Sequence, residues 1–189
     1  MKQILLLFAL SFTLTFNAQI LVSNNFNTDL GWTVIHTTGT DTNAGWTRVT
    51  AGSAPTCLPY AGAGMAKFAS YDIAANNAYT LLSPLVSFTG ESYRVRFKMY
   101  RDGGYATYSD NVKVYYKNTT TETGTLLGTV NRSMSLTPVV SAEGWYEYSY
   151  NLPAGFTGDK YIGFLATSKY GNNIFVDEIK IEKIPNLNA

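Results

Sequence analysis

The run Asn173-Ile174-Phe175-Val176-Asp177-Glu178-Ile179-Lys180-Ile181-Glu182 decides how the rest of the chain is read. Side chains on a strand alternate between its two faces. Phe175, Asp177, Ile179 and Ile181 fall on one face. Ile174, Val176, Glu178, Lys180 and Glu182 fall on the other, which is fully charged after Val176. The first set is expected to look inward, and the second outward in its C-terminal half. Asp177 then sits as a carboxylate on an apolar face. A buried ionised carboxylate without a partner is too costly to persist. Asp177 therefore needs an arginine or lysine, a set of hydrogen-bond donors, or a metal ion. A salt bridge to Arg48 or Arg94 is the plain alternative to a metal.

Working outward, the same two-residue period recurs. Tyr93, Val95, Phe97 and Met99 alternate with Arg94, Arg96, Lys98 and Tyr100, which predicts a half-buried strand with a basic outer face. Val112, Val114 and Tyr116 alternate with Lys113 and Tyr115. Tyr146, Tyr148, Tyr150 and Leu152 form a third such set, and Ile162, Phe164 and Ala166 a fourth. Shorter strand-like runs lie at 20–26, 32–36, 46–49, 65–71, 79–82 and 125–130. Residues 37–45 and 50–64 are rich in small and turn-forming types and read as loops. Nowhere do apolar residues recur at helical spacing over a useful length. The pattern predicts an all-β fold, a two-sheet antiparallel jelly-roll sandwich.

The chain has 189 residues, enough for one domain of ordinary size. Residues 1–18 read as a signal peptide: Lys2 supplies the positive start, an apolar run follows, and Ala18 precedes the expected cut. The run is broken by Ser11, Thr13 and Thr15 and falls short of the ~20 apolar residues a membrane-spanning helix needs. No span is expected once the signal is removed. The reading is a signal at 1–18, one domain at 19–184 and a short tail at 185–189. Taking Lys2 from the 14 basic residues leaves 13 against 13 acidic ones. A neutral chain has no electrostatic reason to seek nucleic acid or an anionic membrane. With one cysteine, Cys57, the chain forms no internal disulfide.

Several stretches, taken in order and spacing, resemble a known family. They are Asn25-Phe26-Asn27 with Gly31-Trp32, then Trp46, Leu82-Ser83-Pro84-Leu85-Val86, Gly144-Trp145-Tyr146, Tyr161-Ile162-Gly163-Phe164 and Asp177-Glu178-Ile179. They are similar to MAM-like jelly rolls, and nearest to the bacterial branch called cleaved adhesin or choice-of-anchor J domains. The resemblance implies a secreted or cell-surface setting, an adhesive or binding role, and often bound calcium. It also implies a module of a larger secreted protein. The family's Phe-Glu at the first strand is Phe26-Asn27 here, and the disulfide cysteines of the animal branch are missing.

The residues themselves carry little catalytic chemistry. His36 is the only histidine and Cys57 the only thiol, and no nucleophile signature surrounds either. One of each does not make a structural zinc site. Calcium takes oxygen ligands, and the loop holding Asp41 and Asn43 offers them. With Asn27, Asp29 and Asp177 it is the expected calcium site, because first and last strands of a jelly roll commonly lie side by side. Tyr105 and Tyr108, beside Gly103-Gly104 on an expected loop, are the candidate ligand-binding residues. The expected function is a non-catalytic, calcium-stabilised binding or adhesion module for an extracellular protein or glycan. The alternative is a carbohydrate-binding or substrate-targeting accessory of a secreted hydrolase.

Overall fold

A computed structural model describes residues 18–42 and 45–185. The expected signal, apart from Ala18, and Asn43 of the expected calcium site lie outside the described residues. The described chain forms strands and no helix. One sheet runs β10 (Gly144–Asn151), β7 (Tyr93–Arg101), β12 (Ile174–Lys183), β4 (Met65–Phe68), β3 (Trp46–Val49), with β1 (Gln19–Asn24) also on β12. The other runs β2 (Thr33–Thr38), β5 (Ala78–Leu82), β11 (Thr157–Thr167), β8 (Asn111–Lys117), β9 (Thr125–Asn131), with β6 (Val86–Thr89) also on β11. Every ladder is antiparallel. The first and last strands do pair, from Gln19 opposite Lys183 to Asn24 opposite Ile179.

The alternation along β7 is what closes the sandwich. Tyr93, Val95, Phe97 and Met99 are buried between the sheets, and Phe97 meets Phe164 of β11 edge to face at 5.1 Å. Trp46, Phe68 and Tyr79 extend the same core toward the edge. The outer face of β7 is basic, as expected, and its cations are paired in place. Arg94 and Arg96 hold Glu182 of β12 at 2.6 and 3.2 Å, and Lys98 holds Glu147 of β10 at 3.1 Å. Cross-strand pairs of opposite charge favour this register over its neighbours.

The closing strand departs from the expected single alternation. Ile174 and Val176 belong to the core between the sheets, and so do Ile179 and Ile181. Phe175 lies on the opposite face, packed with Cys57 and Met65 in a small second core. A β-bulge causes the switch: the β12–β7 register shifts between Asp177 and Lys180, and Glu178 takes φ 49°. One extra residue in a strand moves every later side chain to the other face. Asp177 thus shares a face with Phe175, as expected, but not with Ile179 and Ile181. That face is covered by the 50–64 loop, with Trp145 donating to the carbonyl of Leu58 at 3.0 Å.

Candidate functional site

Three loops meet at one end of the sandwich: β4–β5, β7–β8 and β11–β12. Each brings an exposed tyrosine there. Tyr105 lies edge-on to Tyr71 at 6.2 Å and to Tyr108 at 5.5 Å. Tyr170 is near enough to act on the Tyr105 phenol, which is pushed above its ordinary value mainly by Tyr71. All four rings keep about half of their surface in solvent, from 42% at Tyr108 to 58% at Tyr170. Tyr105 and Tyr170 both adopt left-handed backbone, φ 47° and 67°. Such conformations persist in non-glycine residues only when the surroundings enforce them.

The enforcement comes from a buried ionic cluster directly beneath. Arg132, fully buried, donates from Nη1 to both oxygens of Asp102 at 2.7 Å and to the carbonyl of Gly104 at 2.8 Å. Its Nη2 donates to the carbonyl of Tyr105 at 3.1 Å. Asp110, also fully buried, lies 3.6 Å from Arg132 Nε and accepts from the hydroxyl of Ser70 and the amides of Lys169 and Gly171. Asn172 donates to Asp102 at 2.8 Å. Arg101 ties in the 131–140 segment through the carbonyls of Arg132, Ser133, Leu136 and Pro138. The two arginines and two aspartates sum to zero charge, so the burial is compensated. A Cβ on Gly171 would lie 2.0 Å from Asp110 Oδ2, and one on Gly104 2.5 Å from Asn172 Nδ2. The glycines are there to let the backbone reach the ions.

The expected pair Tyr105 and Tyr108 is therefore half of a four-ring surface. Tyr71 and Tyr170 are the half that sequence reasoning missed. Tyr170 has a local signal in the turn residues Lys169-Tyr170-Gly171-Asn172, whereas the expected strand at 65–71 hid Tyr71; that strand ends at Phe68 and leaves Tyr71 in the following turn. The cluster below has one local signal, Arg101-Asp102 beside Gly103-Gly104; Asp110 and Arg132 stand among polar residues with none.

The expected calcium residues are only partly brought together. Asp177, fully buried, accepts from the amides of Glu178 at 2.7 Å and Ala61 at 3.2 Å, with Tyr60 adding a third donor. Burial pushes its carboxyl up, and the backbone donors hold it down in part. Neither Arg48 nor Arg94 pairs with it. Asn27 accepts from the amide of Ala63 at 2.6 Å, so both side chains grip the same short segment. Asp29 is exposed. Asp41 lies elsewhere, its amide on Asn77 and its carbonyl under the Tyr79 hydroxyl. Among the described residues no three acids, histidines or cysteines gather as a metal cluster. Arg48 instead donates to the carbonyls of Phe26, Asn27 and Ala63, at 2.6, 2.7 and 3.0 Å.

His36 is exposed and leans on Tyr79 at 4.7 Å. Cys57 is buried, and burial followed by the charge of Asp102 pushes its thiol up to about 12. A thiol that rarely ionises is a poor nucleophile.

No family model matches the sequence, and no curated protein does. Solved structures do. The K3 cleaved adhesin domain of Lys-gingipain from Porphyromonas gingivalis superposes with a TM-score of 0.61 at 22% identity, over 88% of this chain and 99% of that one. This chain shares the fold of that domain. The carbohydrate-binding module TmCBM61, solved with β-1,4-galactotriose, matches with a TM-score of 0.52 at 17% identity, over 85% and 99% of the two chains. The CBM22-1 xylan-binding domain of Paenibacillus barcinonensis Xyn10C matches with a TM-score of 0.54 at 12% identity, over 89% and 97%. Among the described residues, no helix is long and apolar enough to cross a membrane.

Proposed function

We propose that this chain is a secreted or cell-surface binding module of the MAM-like type, without catalysis of its own, and that its ligand docks on Tyr71, Tyr105, Tyr108 and Tyr170. The observation that carries the reading is the presentation of the rings. Four half-exposed tyrosines are aimed outward from three loops that a buried ionic cluster locks in place. Aromatic faces held rigidly at a surface bind apolar ring faces and peptide groups at little cost in entropy. Export is supported by the 1–18 segment and by β1 starting at Gln19, the residue after the expected cut. The adhesion reading draws on the gingipain domains, and a carbohydrate-binding accessory role on the two sugar-binding neighbours.

The experiment uses protein recovered from the culture medium, expected to begin near Gln19, on a glycan array and a panel of matrix proteins. Wild type is expected to bind a discrete set, and Tyr105→Ala/Tyr108→Ala to lose at least about tenfold in affinity. The melting temperature of the double variant should stay within about 3 °C, because the rings cover little core. A collapse in stability, or unchanged binding, overturns the assignment of the surface.

Structural calcium is a separate proposal. It is supported by Asn27 and Asp177 gripping the same 60–63 segment. The guanidinium of Arg48 weighs against it, because it already bridges the first loop to that segment.

A further inference from the structure

The outer face of the second sheet carries a groove of about 580 Å³ whose contents the tyrosine surface does not explain. Its floor is built from Ile35 of β2, Thr80 of β5, Gly163 and Leu165 of β11, and Tyr115 and Lys117 of β8. The β8–β9 turn, residues 118–124, forms one wall. The site lies at the far end of β8 from Asp110 and the tyrosines, about 20 Å away at the rise of a strand.

Lys117 is the unusual member. The residue is 7% exposed, and among the described residues its ammonium has no hydrogen-bond acceptor and no ion pair. The other two buried cations, Arg101 and Arg132, each donate to several carbonyl or carboxylate oxygens. Burial pushes the Lys117 amine down, and the charge of Glu122 offsets that only in part. Glu122 is itself occupied: its carboxylate takes the amide of Asn118 and closes the turn. The stem of Lys117 is buried, while the amine at its tip opens into the groove, where an anion can reach it. The chain keeps it at the bottom of a groove whose rim is threonine, with Thr37, Thr38, Thr120, Thr121 and Thr123 along it.

We infer that this groove is a second binding site, that it takes a uronic-acid-bearing oligosaccharide, and that Lys117 receives the sugar carboxylate. The charge selects an anion, and the lining selects a saccharide. Threonine hydroxyls and the Thr37–Thr80 pair, 2.9 Å apart, offer both donors and acceptors to sugar hydroxyls. The flat step at Gly163 and the half-buried Tyr115 and Leu165 accept the apolar face of a ring. A Cβ at Gly163 would come within 3.1 Å of Thr80 and 3.5 Å of the Lys117 stem, narrowing the floor.

Isothermal titration of the mature protein with trigalacturonate, β-1,4-galactotriose and a tri-aspartate peptide tests this. Trigalacturonate is expected to saturate, with galactotriose and the peptide at least about tenfold weaker. Lys117→Met should lose at least about tenfold for trigalacturonate while melting within about 3 °C of wild type, since methionine keeps the packing of the lysine stem. Tyr105→Ala/Tyr108→Ala should bind trigalacturonate as wild type does, which separates this site from the tyrosine surface. Three results overturn the inference: no saturation by trigalacturonate, Lys117→Met binding like wild type, or the peptide or neutral sugar binding as tightly as the uronate.

Discussion

Asp177 shows how one residue states a question that its neighbours answer. An acid among apolar residues announces a buried carboxylate, and the carboxylate is indeed fully buried. What could not be read was the partner. It is the backbone of the 60–61 segment, more than a hundred residues away, together with the amide of the next residue. Backbone amides leave no trace in a sequence, because every residue but proline has one. Two tests follow. Its carboxyl is raised above the ordinary value of 3.8, so the folded state holds that proton more tightly than the unfolded state does. Stability from this group is then present below about pH 4 and is lost as pH rises through the raised folded value. Each pH interval of one between the unfolded and folded values is worth about 1.4 kcal/mol. The melting temperature of wild type relative to Asp177→Asn should therefore fall between pH 3 and 7. A gap that moves the other way means the backbone donors outweigh burial. The same two proteins settle calcium. Binding to the folded state at a hundredfold excess over Kd adds about 2.7 kcal/mol. Millimolar calcium should then raise wild type by several degrees over EDTA, with the rise absent in Asp177→Asn. Identical curves for wild type remove the ion and leave Arg48 as the cation that fastens the first loop.

At the scale of elements, strands with clean alternation were legible and the irregular ones were not. β7, β8, β10 and β11 carry their inward and outward sets as the two-residue period requires. β12 does not, because the bulge at Glu178 is a backbone event in a non-glycine residue and has no composition signal. The bulge has a purpose that the packing explains. It puts Phe175 and Asp177 under the 50–64 loop and still returns Ile179 and Ile181 to the main core. A strand without it would bury its charged residues or expose its isoleucines. Left-handed backbone costs an L-residue about 1–2 kcal/mol, and more when the side chain branches at Cβ. Glu178→Gly is expected to be as stable as wild type or more so. Glu178→Val, which has high strand propensity, should be less stable by at least about 1 kcal/mol, read from the fall in denaturant midpoint. A valine variant as stable as wild type would mean that the bulge does not hold in solution.

On the scale of the whole molecule, the two ends of β8 carry opposite solutions to buried charge. At Asp110 the ions are paired and form the floor of the tyrosine surface; at Lys117 the ion is unpaired and opens into a groove. The sandwich itself was legible, since it follows from alternation and turns. The candidate surface was half legible, because tyrosines in turns are visible while the topology that gathers four of them is not. The cluster beneath is the part that must hold if the surface is to exist. Arg132→Met keeps the length of the side chain but leaves Asp102 and Asp110 buried without their cation. Removing one partner of a buried pair costs about 3–5 kcal/mol, which in a domain of this size lowers the melting temperature by about 10 °C. The loss should be local before it is global. Amide exchange is expected to accelerate first at Gly104, Lys169 and Gly171, whose amides the cluster holds. The β6–β11 ladder, at the opposite end of β11 from Lys169, should keep its protection. Ligand binding at the tyrosines should fall with that exchange, while binding in the Lys117 groove is kept at temperatures below the melt. Uniform exchange across both ends would show that the cluster stabilises the fold as a whole and does not specifically support the four rings.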